Sequence, residues 1–245
     1  MCGIAGFVGR ADPGALERMS RSMVLRGPDA AGAWSSPDGS VHFAHRRLSI
    51  IDLADGAQPM HSADGNLTIV FNGEIYNHME LRAGLESRGG RFLTDHSDTE
   101  VLLQGYALDG PEFVHRLNGM WAFAIHDLKN RRIFCSRDRF GKKPFFYFFK
   151  GAEFVFASEL NALLEHPSCP RSLDPLSLKK FFAYCLVPAP RTILQGVHKL
   201  PAGCNMFVDL ADGAPTIRRY WEYAPEPEPH GGEKWEAEKA EELRE

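Results

Sequence analysis

The sequence predicts a layered α+β fold. Three observations lead there. Short apolar runs recur through the chain, several of them bounded by Gly, Asn or Asp as strands usually are. Helical stretches fall between groups of strands, not after each one, so strict βαβ alternation is absent. No internal repeat is present.

The elements follow in chain order. Residues 4–8 (Ile-Ala-Gly-Phe-Val) read as a strand, and residues 13–25 as a helix. Strands are expected at 41–44 and 67–71, a helix at 79–88, and a longer helix at 98–109. That last helix carries a start signal, because Ser97, Asp98 and Glu100 place oxygen acceptors and negative charge at its N-terminus. Its apolar residues Val101, Leu102, Tyr106 and Leu108 roughly keep helical spacing. Strands at 122–127, 132–137 and 145–149 come next, then a helix at 175–183. Composition changes after Tyr223: residues 224–232 alternate Pro and Glu and end in Gly-Gly, the chemistry of an extended, solvated linker. Residues 233–245 form a charged helical segment with a thin apolar face of Trp235, Ala237, Ala240 and Leu243. The expected division is a globular domain at 2–210, a connecting segment with linker at 211–232, and at 233–245 the first helix of a further domain.

Of 245 residues, 44% are hydrophobic and 24% charged, which is ordinary globular composition with ample length for a core. Net charge is −4 with the two signs mixed, which argues against a nucleic-acid stripe or a membrane-binding basic patch. No apolar run reaches the ~18 residues of a membrane span, and no basic-then-apolar secretory signal opens the chain. The five cysteines, Cys2, Cys135, Cys169, Cys185 and Cys204, are odd in number, widely spaced and free of C-x-x-C. That pattern argues against a disulfide framework and a zinc site, so no metal is expected, and a reduced, cytoplasmic compartment fits. Cys135 and Cys185 both lie in apolar runs and are expected in the core.

Chemistry concentrates in a few clusters. Met1-Cys2-Gly3 places a cysteine where removal of Met1 would leave a thiol and a free α-amine on one residue, a nucleophile with its own base. Arg26-Gly27-Pro28-Asp29, the run from His45 to Asp52, Phe71-Asn72-Gly73-Glu74, Ser97-Asp98-Thr99-Glu100 and the run from Arg137 to Pro144 complete the set. Each has an ordinary structural explanation: a Gly-Pro-Asp turn, a strand with a basic end, an Asn-Gly hairpin, a helix cap, a charged loop. Together they form an inventory for hydrolysing an amino-acid side-chain amide. The Asn72 amide and the Gly73 N–H are adjacent donors for an oxyanion. Arg47 offers a fork of donors for an α-carboxylate, and Glu74 and Asp98 are carboxylates for an α-ammonium.

The order and wording of these clusters resemble the N-terminal glutaminase domain of glutamine-hydrolysing asparagine synthetases, a class II, Ntn-type glutamine amidotransferase domain. Also matching are Arg47-Leu48-Ser49-Ile50-Ile51-Asp52, Gly56-Ala57-Gln58-Pro59-Met60, the run from Leu117 to Ala124, and Ala157-Ser158-Glu159. The resemblance runs from Met1 to about Leu210. It implies a four-layer αββα sandwich of two antiparallel sheets. It further implies Cys2 as nucleophile, Asn72 and Gly73 as oxyanion hole, Arg47 with the backbone of Leu48, Ser49, Ile50 and Ile51 around the glutamine carboxylate, and Glu74 and Asp98 on its ammonium. ATP and Mg2+ are expected only in a C-terminal synthetase domain, whose pyrophosphate loop does not occur here. Homodimerisation through this domain is a family expectation. Lys142 stands where the family often has an apolar residue, and Phe71 where it often has Tyr. Glutaminase domains of purine-pathway amidotransferases and hexosamine-phosphate synthases share the opening but differ in the arginine cluster. Two alternatives stay open: an amidotransferase of this type with an acceptor other than aspartate, and a glutamine-binding module without catalysis.

Overall fold

The computed structural model describes residues 1–9, 14–48, 56–211, 213–225, 235 and 240–242. In order these form β1 (Gly3–Val8), α1 (Ala15–Ser22), β2 (Ala30–Ser35), β3 (Val41–Arg47), β4 (Met60–His61), β5 (Leu67–Ile75), α2 (His78–Glu86) and α3 (Asp98–Asp109). A 3-10 segment (Gly110–Arg116) leads into β6 (Gly119–Asp127), β7 (Arg132–Arg137), β8 (Phe146–Lys150), β9 (Glu153–Ala157), α4 (Leu160–Leu164) and α5 (Pro175–Tyr184). The described chain closes with β10 (His198–Lys199), β11 (Cys204–Asp209) and β12 (Pro215–Arg219).

The strands make two six-stranded antiparallel sheets, ordered β10-β8-β9-β1-β3-β2 and β12-β11-β7-β6-β5-β4. Three apolar clusters fill three spaces between layers. One, between the sheets, takes Ile4, Val8, Phe43 and Phe156 from the first and Val70, Ala124, Cys135 and Met206 from the second. Another joins the outer face of the first sheet (Ala5, Phe7, Val155) to Met19 of α1 and Leu163 of α4. The third joins Ile69, Phe71, Trp121 and Phe123 to Leu85 of α2 and Leu102, Leu103 and Tyr106 of α3. Helices therefore cover both outer faces, giving the α, β, β, α layering. β1 is buried along its whole length between β3 and β9. A strand covered on both faces carries an apolar run without polar alternation, and at ~25 cal/mol per Å² each buried Phe contributes about 2 kcal/mol.

Several boundaries differ from those expected. β3 continues to Arg47 and β5 to Ile75, so Asn72-Gly73 lies inside a strand paired with β6 and makes no hairpin turn. A full-length partner strand overrides the local turn preference of Asn-Gly. The helix at 13–25 is confined to Ala15–Ser22, whereas that at Asp98–Asp109 keeps its expected ends. β12 pairs with β11, so the second sheet continues past residue 210 into the stretch read as connecting segment. The linker from 226 and most of 233–245 lie outside the described residues. Cys135 is buried, but Cys185 is exposed, against expectation. It caps α5, whose Phe181, Phe182 and Tyr184 also face outward.

Candidate active site

Cys2 precedes β1, and the pairing of Gly3 with Arg46 brings it level with Arg47 at the end of β3. Its Sγ lies 4.0 Å from the Leu48 carbonyl oxygen. The Arg26-Gly27-Pro28-Asp29 turn docks on this strand end, with the Asp29 N–H donating to the Arg47 carbonyl at 3.0 Å. A Cβ at Gly27 would collide with the Arg46–Arg47 backbone, so only glycine lets the turn come this close. Arg26 thereby reaches residue 2: its Nε donates to the Cys2 carbonyl at 2.8 Å and its Nη1 to Glu159 at 3.3 Å. Ser158 fixes the second residue of β1, accepting from the Ile4 N–H at 3.0 Å and donating its own N–H to the Ile4 carbonyl at 2.8 Å. Turn and Ala-Ser-Glu cluster together hold the start of β1.

The opposite wall is β5, which packs against β1 and β3 across the space between the sheets. His45 ties the walls together through its Nε2, 3.2 Å from the Phe71 carbonyl. It is 2% exposed, and burial depresses its pKa to about 4, so the ring is neutral and donates from Nε2. The next residue, Asn72, lies opposite Ala122, an inter-sheet core residue, and so shares its inward face. Asn72 is 1% exposed, and its buried Nδ2 has no acceptor among the described residues. Buried donors are nearly always paired, and the described residues supply no acceptor for this one. At Gly73 a Cβ would collide with the Met120 carbonyl of β6, so strand packing alone already requires glycine. Gln58 braces this wall, accepting from the Phe71 N–H at 2.6 Å and donating to Thr99 of α3 at 3.4 Å.

α3 begins as the sequence predicts, with Ser97 accepting from the Glu100 N–H at 3.3 Å. Asp98 accepts from the Ile75 N–H at 3.1 Å, which sets its carboxylate beside the end of β5. Burial raises its pKa, and the charge of exposed Glu74 adds to the rise. Two carboxylates that repel each other in this way form a site that a cation stabilises.

Cys2, Arg47 and Leu48 thus stand at one strand end of the first sheet, Asn72, Gly73 and Glu74 on the facing strand, and Asp98 beside them. Arg47's guanidinium lies against Gly56. Ser49, Ile50 and Ile51 lie outside the described residues. Sequence reasoning gave no role to Arg26, His45, Gln58 or Lys143. All four sit in recognised clusters, but the partners of the first three are 13 to 26 positions away in sequence. Among the described residues no group of three or more His, Cys, Asp or Glu is placed to hold a metal ion. No helix there is long and apolar enough to cross a membrane.

This chain belongs to the glutamine amidotransferase domain family, which residues 1–221 match. It is 38% identical over 241 residues to a putative glutamine-hydrolysing asparagine synthetase of Mycobacterium tuberculosis, covering 90% of this chain and 37% of the relative. Against asparagine synthetase 3 of Bacillus subtilis it is 38% identical over 231 residues, covering 90% and 36%. The chain therefore spans little more than a third of the length of these relatives. In fold it is similar to the glutamine phosphoribosylpyrophosphate amidotransferase of B. subtilis, with TM-score 0.64, 19% identity, and coverage of 91% of this chain and 50% of that one.

Proposed function

We propose that this chain is the glutamine-hydrolysing, ammonia-releasing part of an asparagine-synthetase-type amidotransferase, acting through Cys2. Glutamine enters with its carboxylate toward Arg47 and the Leu48 to Ile51 backbone, and its ammonium toward Glu74 and Asp98. With Met1 removed, the α-amine of Cys2 takes the thiol proton as sulfur attacks the side-chain amide carbon. The negative charge that develops on the amide oxygen is met by Asn72 Nδ2 and the Gly73 N–H. The protonated amine passes its proton to the leaving nitrogen, ammonia departs, and water cleaves the thioester to glutamate and free thiol. The observation that carries this reading is the buried Asn72 donor, which has no acceptor among the described residues and is fixed one residue from the strap that His45 throws between the sheets.

Ammonia would then serve a synthetase portion like that of the longer relatives. ATP and Mg2+ belong to that portion, with aspartate as acceptor on the strength of the relatives' names. A fused synthetase domain, a homodimer and a cytoplasmic setting complete the proposal. Intact mass and glutamine turnover on untagged chain test it. Protein lacking Met1 is expected to convert glutamine to glutamate, and Cys2→Ala to abolish turnover with the fold retained. Turnover surviving in Cys2→Ala would remove the nucleophile. Stoichiometric glutamine binding without turnover in Met1-free protein would favour the binding-module alternative.

A further inference from the structure

Lys143 is 7% exposed, while its neighbour Lys142 is exposed to solvent. A lysine rarely lies so deep without a partner. Its backbone is fixed from both sides: the N–H donates to Asp138 at 3.0 Å, and the carbonyl accepts from Arg137 Nε at 2.7 Å. Asp138 is itself buried, and its two oxygens also hold the N–H groups of Trp121, Phe140 and Lys142. Because Trp121 pairs with Gly73, these bonds fix the loop, and the backbone of Lys143 with it, beside the strand end that carries Gly73 and Glu74. The ammonium is within electrostatic reach of Cys2, Glu74, Asp138 and Arg26, yet among the described residues no carboxylate forms an ion pair with it. Burial and the Arg26 charge lower its pKa, while Cys2, Glu74 and Asp138 act against that lowering.

We propose that Lys143 is a positioning residue of the active site, whose ammonium, carried by the Asp138-anchored loop, is the counter-charge for the anion that forms on the Cys2 sulfur. This rests on Cys2 being the nucleophile. Lys143 acts through the sulfur and does not touch glutamine. A cation within electrostatic reach of the sulfur stabilises the anion that develops there and attracts an anionic reagent to it.

The test is alkylation of Cys2 by anionic iodoacetate and by neutral iodoacetamide, read by peptide mass. Exposed Cys185 in the same chain serves as internal reference. The iodoacetate-to-iodoacetamide rate ratio reports charge beside the sulfur and needs no glutamine turnover. Lys143→Met is expected to lower the ratio at Cys2 by about 3–10-fold, the effect of one unit charge nearby in a half-exposed site. The ratio at Cys185 is expected to stay constant. Lys143→Arg, which keeps the charge but accepts no proton, is expected to preserve the Cys2 ratio. An unchanged ratio in Lys143→Met overturns the proposal. A fall in both variants overturns it too, because the positive charge that Lys143→Arg keeps would then not set the ratio. Should Lys143→Met not fold, Lys143→Gln takes its place. A chain that shows the expected ratios but hydrolyses no glutamine keeps the counter-charge and loses the glutaminase reading.

Discussion

Asn72 shows how much chemistry one side chain can hold in reserve. Its carbonyl neighbour Phe71 is strapped by neutral His45, its strand is braced by Gln58, and its own Nδ2 has no acceptor among the described residues. If that donor meets the developing oxyanion, Asn72→Ala lowers kcat by ~10²–10³ while KM for glutamine stays nearly constant. A rise in KM at constant kcat, measured by steady-state glutamine hydrolysis, would move Asn72 to ground-state binding. The residue types proposed for this site can be picked out in the sequence because the proposed amide hydrolysis needs a nucleophile, paired donors and charged clamps. The supports cannot. Arg26 reaches the Cys2 carbonyl only because Gly27 lets its turn settle on β3. Nothing in the local wording of Arg-Gly-Pro-Asp specifies that contact.

Among the elements, the loop from Asp138 to Phe145 is the most constrained near the site. Asp138 Oδ1 accepts from Phe140 and Lys142, and Oδ2 from Trp121 and Lys143. Asp138→Asn keeps the shape but turns one oxygen into a donor facing two N–H groups. The expected loss is about 2–4 kcal/mol, given 1–3 kcal/mol for each buried group left unsatisfied. Urea unfolding reads it directly, and a loss below ~1 kcal/mol would show that the loop does not depend on this carboxylate. Sequence showed this stretch only as a charged loop between strands. The helix Asp98–Asp109 was fully legible, because its cap and its first-turn charges are local signals. β2, β4, β9, β10, β11 and β12 escaped notice. Glu-Phe-Val-Phe-Ala and Cys-Asn-Met-Phe-Val-Asp are short, and sheet neighbours far away in the chain decide whether such segments become strands.

At the scale of the molecule, layering buries histidines. Burial holds His42, His45, His61, His126, His166 and His198 below their ordinary value. The native state then binds fewer protons than the unfolded chain just below pH 6.5, so stability falls as pH drops through that range. His45, at about 4, accounts for about 3 kcal/mol of loss between pH 6.5 and pH 4. The urea midpoint is expected to fall between pH 7 and pH 5, and His45→Gln, which keeps a donor for Phe71, to flatten that slope. Equal midpoints at the two pH values would mean that these rings protonate freely in the native state. The α+β class was legible from the grouping of strands and helices. The pairing of the two sheets was not, since the first sheet joins β1 to β3 with β8 to β10, from beyond residue 145, and the second joins β4 to β7 with β11 and β12.

β1 has one further consequence, in the order of assembly. Its two neighbours are β3, about forty residues away, and β9, which ends at Ala157. Closing the longer loop comes late, because chain entropy must be surrendered before distant contacts return anything. The residues that hold the start of β1 include Ser158 and Glu159. No N-terminal fragment that stops short of them can build this pocket, however well its first strands fold. A chain broken in the exposed turn at Gly151 would regain its site only when the two pieces find each other, which makes the pocket a reporter of its own completion.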